Sequence, residues 1–300
     1  MISSKNQIRV YLLPLIAILT WAGNVIAGKL AVGQIEAWSL SLYRWVLAFL
    51  LLTPFMLPKV WNNRHAIYPF LPKLAVLGML GMVVYQGLAY QAAYTTTATN
   101  IGILNAMIPM FTLLAAAVIL NEKPNLFAIM GVGLSILGIG ILIGKGNPLS
   151  IFAGDFHLGD VLMVLAVASY ALYGVLTRYW QLSLDLFSNI YLQVFFAIVC
   201  HVPIVLYTGL SPLTPYNIGL IVYAGIFPSL IAPLVWTKSI QQIGASQTSI
   251  YLNLMPIFTA IIAVLYLHER WQTFHTLGAL LILLGVILAQ IKAKKVKERA

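Results

Sequence analysis

Residues 107–123 read MIPMFTLLAAAVILNEK, and residues 254–270 read LMPIFTAIIAVLYLHER. Aligned at an offset of 147, the two stretches pair Pro109 with Pro256, Phe111 with Phe258, Thr112 with Thr259, Ala116 with Ala263, Leu120 with Leu267, Glu122 with Glu269 and Lys123 with Arg270. The same offset carries Phe127 onto Phe274, Gly131 onto Gly278 and Gly138 onto Gly285. One half of the chain is therefore a diverged copy of the other. In a chain this apolar, duplication implies a membrane protein built about a pseudo-twofold axis, with its site near the middle of the bilayer.

Composition leads to the same class. Charged residues make up 8% of the 300 and hydrophobic residues 61%, against roughly 25% and 45–50% in soluble domains. A membrane-crossing helix needs about 20 apolar residues, and ten stretches qualify, near 10–30, 38–58, 72–91, 98–120, 125–144, 158–178, 187–208, 216–240, 245–267 and 272–292. A cleaved secretory signal is the rival reading of the first, because Lys5 and Arg9 precede an apolar run. That run is as long as its successors and has a counterpart in the second half, so it reads as a retained helix. The predicted fold is all-α and polytopic, with residues 1–146 and 147–300 as the two five-helix repeats.

Little chain remains for anything else. The longest connections, near 59–71 and 145–157, are too short and polar to fold alone. Cys200, the single cysteine, lies in an apolar stretch and reads as a small buried hydrophobe. The formal net charge of +10 invites a nucleic-acid partner, but the placement of the basic residues argues against one. With a cytoplasmic amino terminus, Lys5, Arg9, Lys59, Arg64, Lys73, Lys123, Arg178, Lys238 and the tail from Lys292 to Arg299 all fall inside, 13 of the 17 Lys and Arg. Both termini are then cytoplasmic, and the tail serves as a topology signal that also touches anionic lipid. A multi-pass, monomeric protein of a bacterial inner membrane is expected, with a small-molecule substrate and membrane lipid as its partners.

Five helices per half is an odd number, so the second copy enters the membrane from the opposite side and the repeats are inverted. Helices 1 and 6 match as well, Trp21, Ala22, Asn24 and Lys29 standing opposite Tyr170, Ala171, Tyr173 and Arg178. Each half can adopt the shape the other currently has, which is a natural basis for alternating access. The Pro and Phe-Thr of helices 4 and 9, the Glu with a basic neighbour closing each, and the paired glycines of helices 5 and 10 resemble the drug/metabolite transporter superfamily, specifically its ten-helix EamA-like branch. Trp21-Ala-Gly-Asn24, Lys29 and Tyr43-Arg44 resemble that branch too. The resemblance covers nearly the whole chain and implies a transporter; the branch includes exporters of amino acids, other metabolites and drugs, and some uptake systems. Leu192 stands opposite Arg44, which confines any role of that arginine to one half.

Polar groups within hydrocarbon are costly, so they face a cavity or another helix. Trp21, Asn24 and Gly28 share one face of helix 1, and Tyr170, Tyr173 and Thr177 repeat it in helix 6. Gln86, Tyr90 and Tyr94 follow at i, i+4 and i+8 in helix 3, with Asn105 in helix 4, Trp236 in helix 8 and Asn253 in helix 9. These residues are the candidate substrate-binding set, weighed against interhelical hydrogen bonding for the amides and an interfacial position for Tyr94. Trp38, Trp45, Trp61, Trp180 and Trp271 are assigned to the interfacial aromatic belt. Pro109 and Pro256 each remove a backbone hydrogen bond and are the candidate hinges. Arg44 either attracts a carboxylate or snorkels to the interface, and His201 reads as a packing residue.

The acidic residues all fall in loops or at helix ends, which disfavours a carboxylate proton relay. No catalytic, metal or cofactor motif stands out: there is no HExxH, no P-loop and no nucleophile with its base. The expected function is secondary transport of a small neutral or zwitterionic metabolite, an amino acid or amino-acid-like compound, outward by alternating access. Efflux of a drug or other metabolite, or uptake by the same fold, is the alternative.

Overall fold

The computed structural model describes residues 4–153, 157–244, 248 and 251–289, and the side chains of 12–150, 157–244, 248 and 251–288. The basic tail, Asp155 and Glu298 lie outside the described residues, as do the side chains of Lys5 and Arg9. Every regular element among the described residues is helical. Among the described residues eight helices are long and apolar enough to cross a membrane: α1 (Ser4–Ala31), α2 (Ala37–Asn62), α3 (Arg64–Ala92), α4 (Ala98–Ile119), α5 (Leu126–Ile143), α6 (Leu158–Trp180), α7 (Leu186–Thr208) and α8 (Pro215–Ile243). Two shorter apolar helices follow, α9 (Tyr251–Leu267) and α10 (Thr273–Ala289).

The connection expected near 59–71 is instead helical. Helix α2 runs on to Asn62, and α3 starts at Arg64 with a short turn, a tighter turn over Tyr68–Phe70 and then regular helix from Leu71. Pro69 and Pro72 sit in the first turns of those segments, where a missing N–H costs nothing and the fixed φ suits a helix start. Both prolines act as helix initiators here. Elsewhere the side chains preceding helices act as caps: Glu36, Thr97, Asn125, Asp185 and Thr214 each accept a first-turn backbone N–H, and Thr214 and Asn217 close a reciprocal capping box. Glu36 is half-buried, which pushes its carboxyl above the usual range against the pull of the N–H groups it accepts.

Four helices are interrupted. Helix α4 runs regularly from Ala98 to Asn105 and restarts at Ile108, and α9 passes from a tight turn over Tyr251–Leu254 into regular helix at Met255. Pro109 and Pro256 each occupy the second position of the restarted segment. The other two interruptions, which the sequence reading did not anticipate, are wide turns: Met79–Val84 in α3 and Phe227–Ile231 in α8. There the N–H of Tyr85 reaches back to Leu80 O and that of Ala232 to Phe227 O, the i to i−5 pattern of a π-helix.

Helix α1 packs against α8 and α9, α6 against α3 and α4, α2 against α7, and α5 against α10. The last pair is very close: a Cβ at Gly138 would lie 2.9 Å from the Gly278 carbonyl oxygen, and one at Gly285 would meet the Gly131 carbonyl and Ser135. Connections meet at two ends. At one, Glu36 N–H donates to Ser211 Oγ, Tyr94 Oη to Ile35 O, and Gly159 N–H to Thr95 Oγ1. At the other, Lys59 pairs with Asp185 and Arg178 with Glu122. These are called the Lys29 end and the Arg178 end below. Large apolar side chains such as Phe55, Val118, Leu206 and Leu265 cover the outside of the bundle, as hydrocarbon surroundings require.

Candidate functional site

The interrupted helices surround a cavity of about 420 Å3. Nine of the ten candidate binding residues line it: Trp21, Asn24, Gln86, Tyr90, Asn105, Tyr170, Tyr173, Trp236 and Asn253. The tenth, Tyr94, does not. Helix α3 ends at Ala92, and Tyr94, 39% exposed, donates its hydroxyl to Ile35 O at the Lys29 end. Pro109 lines the cavity, whereas Pro256 is buried away from it.

Each wall has its own chemistry. The rings of Trp21 and Trp236 lie 5.4 Å apart, and the Trp21 indole N–H donates to Pro228 O in the π-helical turn of α8 at 3.3 Å. Across the cavity, Tyr85 stacks obliquely on Tyr170 at 4.6 Å and Tyr170 on Tyr173 at 5.4 Å. The Tyr85 hydroxyl donates to Asn105 Oδ1 at 2.9 Å, while Asn105 Nδ2 donates to Ile101 O within its own helix. The α3 wide turn is tied down in a similar way, Ser169 of α6 donating to Leu80 O at 2.9 Å and Trp45 Nε1 to Met82 O at 2.9 Å.

A polar cluster closes the cavity toward the Lys29 end. Tyr90 Oη donates to Asn24 Oδ1 at 2.8 Å and accepts from Arg44 Nη1 at 2.9 Å, and Arg44 Nε and Nη2 donate to Ser229 Oγ at 2.9 and 2.7 Å. The guanidinium lies 4.6 Å from the Trp45 ring centroid. Arg44 is 3% exposed, so it does not snorkel to the interface. Trp45, 7% exposed, is a cavity wall and not part of an interfacial belt. Its neighbours explain the correction, because the buried indole gains a cation-π contact from Arg44 and an acceptor for its N–H in Met82 O. His201 is fully buried and packs as expected, its ring nitrogens against Ala197 O at 2.8 Å and Ser41 Oγ at 2.9 Å.

Beyond this cluster the Lys29 end is latched. Lys29 Nζ donates to Ala93 O at 2.6 Å and Thr96 O at 2.7 Å. The Glu269 carboxylate caps the start of α4, accepting from Ala98 N at 2.7 Å, Thr99 N at 3.0 Å and Thr99 Oγ1 at 2.7 Å. A carboxylate here complements the positive end of the helix dipole. Buried Asp160, in the first turn of α6, accepts from Thr96 Oγ1 and from Asn100 Nδ2 at 3.0 Å. Toward the Arg178 end, by contrast, the lining runs out to Leu186, the first residue of α7, and to Leu252 near the start of α9.

The sequence profile of the EamA-like transporter family matches residues 8–144 and matches again at 157–290. The chain belongs to the EamA-like transporter family. As a member it is an integral, multi-pass membrane protein and a transporter. A relative from Archaeoglobus fulgidus described as an uncharacterized transporter is 29% identical over 290 residues, covering 95% of this chain and 98% of that one. A probable terminal-alkyne amino-acid exporter from Streptantibioticus cattleyicolor is 24% identical over 277 residues, covering 91% and 90%. A crystal structure at 14% identity superposes with a TM-score of 0.58 over 97% of this chain and 99% of that one, a likeness of fold alone.

Tyr85, Ser229 and Pro228 line the EamA-family cavity without having been picked from the sequence. Gln86 and Tyr90 are one α-helical turn apart, and that spacing excludes Tyr85 from their face. Tyr85 heads the adjoining stripe with Ala89, and the cavity takes both stripes of the regular segment Tyr85–Ala92. Pro228 carried a readable signal, a proline inside an apolar stretch.

Proposed function

We propose that this EamA-family chain is a secondary transporter of a small neutral or zwitterionic metabolite, an amino acid or amino-acid-like compound, exported by alternating access. The observation that carries this reading is that one motif sits in two different environments. Glu269 latches the Lys29 end across the repeats and Lys29 bonds Ala93 O and Thr96 O beside it, while their copies Glu122 and Arg178 are exposed and simply pair with each other at 2.6 Å. Two related halves in unlike states are what an inverted repeat provides, and exchanging the states would turn the cavity to the opposite end.

The packing pairs support the inverted-repeat reading, with α1 on α8 and α9 mirrored by α6 on α3 and α4. So do the matched interruptions at Pro109 and Pro256, and at Met79–Val84 and Phe227–Ile231. On this reading α9 and α10 also cross the membrane, giving ten spans in repeats 1–146 and 147–300. Lys59, Arg64, Lys73, Lys123 and Arg178 all lie toward the Arg178 end, which favours a cytoplasmic Arg178 end, cytoplasmic termini and a bacterial inner membrane. On this reading a monomer is the working unit, which fits a cavity lined by residues of one chain.

An amino-acid-like substrate fits the lining. Aromatic rings offer stacking and cation-π contact, and the cavity is of the size that holds small ligands. The relative described as a probable amino-acid exporter supports the same class. The test is counterflow in proteoliposomes loaded with unlabelled amino acids one at a time, with and without an imposed pH gradient. Saturable entry of the labelled partner is expected. No exchange by folded protein with any amino acid would move the substrate to a drug or another metabolite.

A further inference from the structure

We infer that Arg44 is the seat of a carboxylate on the transported molecule, an assignment that rests on the transporter reading above and narrows its substrate class. Arg44 is nine-tenths buried and lines the cavity, yet every acceptor it meets is neutral: Ser229 Oγ, Tyr90 Oη and, at 3.4 Å, Asn24 Oδ1. Among the described residues no carboxylate pairs with it and none lines the cavity. Three other cations differ, and Arg64, which also bonds no carboxylate among the described residues, is exposed. Lys29 feels Glu269, Lys59 pairs with Asp185, and Arg178 pairs with Glu122.

A guanidinium removed from water with no opposite charge is costly, and the cost is offset when a counter-ion arrives with its own hydrogen-bonding oxygens. The geometry leaves room for one. A guanidinium has five N–H donors, and four bonds to three oxygens account for Nε, Nη1 and one hydrogen of Nη2. The remaining Nη2 hydrogen has no acceptor among the described residues. Ser229 and Tyr90 hold the planar fork in place, and a preoriented fork is what recognises a carboxylate.

Symmetry separates this residue from the mechanical parts. The latch carboxylates, the prolines and the wide turns all occur in pairs. Arg44 does not, because its counterpart is Leu192, which packs against Ile67 and Leu74. A substrate with distinct ends needs a site with distinct ends, and a charge in one half supplies that difference. The rest of the molecule would lie along Trp21, Trp236 and the tyrosine cluster. The amides of Gln86 and Asn253, which have no partner among the described residues, stand ready to bond it.

The experiment takes the amino acid giving the strongest counterflow and competes its exchange with the same amino acid, its α-carboxamide and its des-amino carboxylic acid. In the native protein both carboxylates should compete, with the carboxamide at least about tenfold weaker, a difference of about 1.4 kcal/mol. Arg44→Gln should abolish the preference and Arg44→Lys should keep part of it. If Arg44→Gln does not fold, the three-compound series in the native protein decides alone. Equal competition by carboxamide and carboxylate, or exchange confined to compounds without a carboxylate, overturns the assignment and leaves the transporter standing. Absence of exchange with every compound tried, amino acid or not, overturns the transporter reading, and this assignment falls with it.

Discussion

Tyr90 carries three contacts on one side chain: its hydroxyl bonds Asn24 and Arg44, and its ring fills the space that a Cβ on Gly28 would need, 2.8 Å from that position. Tyr90→Phe removes the hydroxyl alone. A hydrogen bond to a charged group contributes about 1.5–3 kcal/mol, so half-saturation in the counterflow assay should rise at least about tenfold while membrane insertion is unchanged. Trp21→Ala should lower transport by a similar factor, since it removes half of the Trp21–Trp236 pair and the tie to Pro228. Normal transport by both variants would remove the cavity from the account. At this scale the sequence was legible as far as helical periodicity reached. Gln86 and Tyr90 were placed by spacing, while Tyr94 obeyed the same spacing but fell past the end of the helix. Arg44 could not be settled by spacing, because burial depends on what α8 brings against it. Away from the cavity, Asp185 caps α7, and its bonds to Ser188 hold its carboxyl below the usual range, with a lesser pull from Lys59. A lowered carboxylate value stabilises the fold above the unfolded value, near 3.9, and that stabilisation is lost as pH falls through the lower folded value. Asp185→Ala should therefore cost about 1 kcal/mol or less in thermal unfolding at pH 7, and the difference from native protein should shrink in strong acid.

On the proposed alternating-access reading, the interrupted helices carry the mechanics. Pro109→Ala and Pro256→Ala restore a backbone donor exactly where α4 and α9 restart, so they should slow exchange between cavity states with little change in substrate affinity. Loss of affinity at an unchanged exchange rate, read by counterflow against equilibrium binding, would count against a hinge there. The α5–α10 contact has a structural role instead. Gly285→Val must push Gly131 and Ser135 aside, and overpacking of this kind costs about 1–3 kcal/mol, visible as a lower unfolding temperature in detergent. The prolines announced two of the four interruptions in the sequence. The wide turn in α3 has no proline within it, and its geometry comes from side chains of other helices, Ser169 and Trp45, claiming the carbonyls of Leu80 and Met82. No local pattern in 79–84 contains that information.

On the scale of the whole molecule, the duplicated motifs were readable because insertion into a bilayer leaves few ways to satisfy a backbone, and both halves keep the same solution. The asymmetry between the two ends was not readable, since it belongs to one conformation and not to the sequence. Glu269→Gln weakens the cap on α4 and should shift the resting population toward a cavity open at the Lys29 end. The most direct test of alternating access puts a reporter in the cavity: Ala106→Cys in a Cys200→Ala background, oriented proteoliposomes, and a membrane-impermeant thiol reagent applied from one side at a time. Ala106 lines the cavity. The account predicts labelling from the Arg178 side at rest, labelling from the Lys29 side once Glu269→Gln is added, and no leak of the reagent across the membrane in either protein. Labelling confined to the Arg178 side in both proteins, or free passage of the reagent, would contradict it.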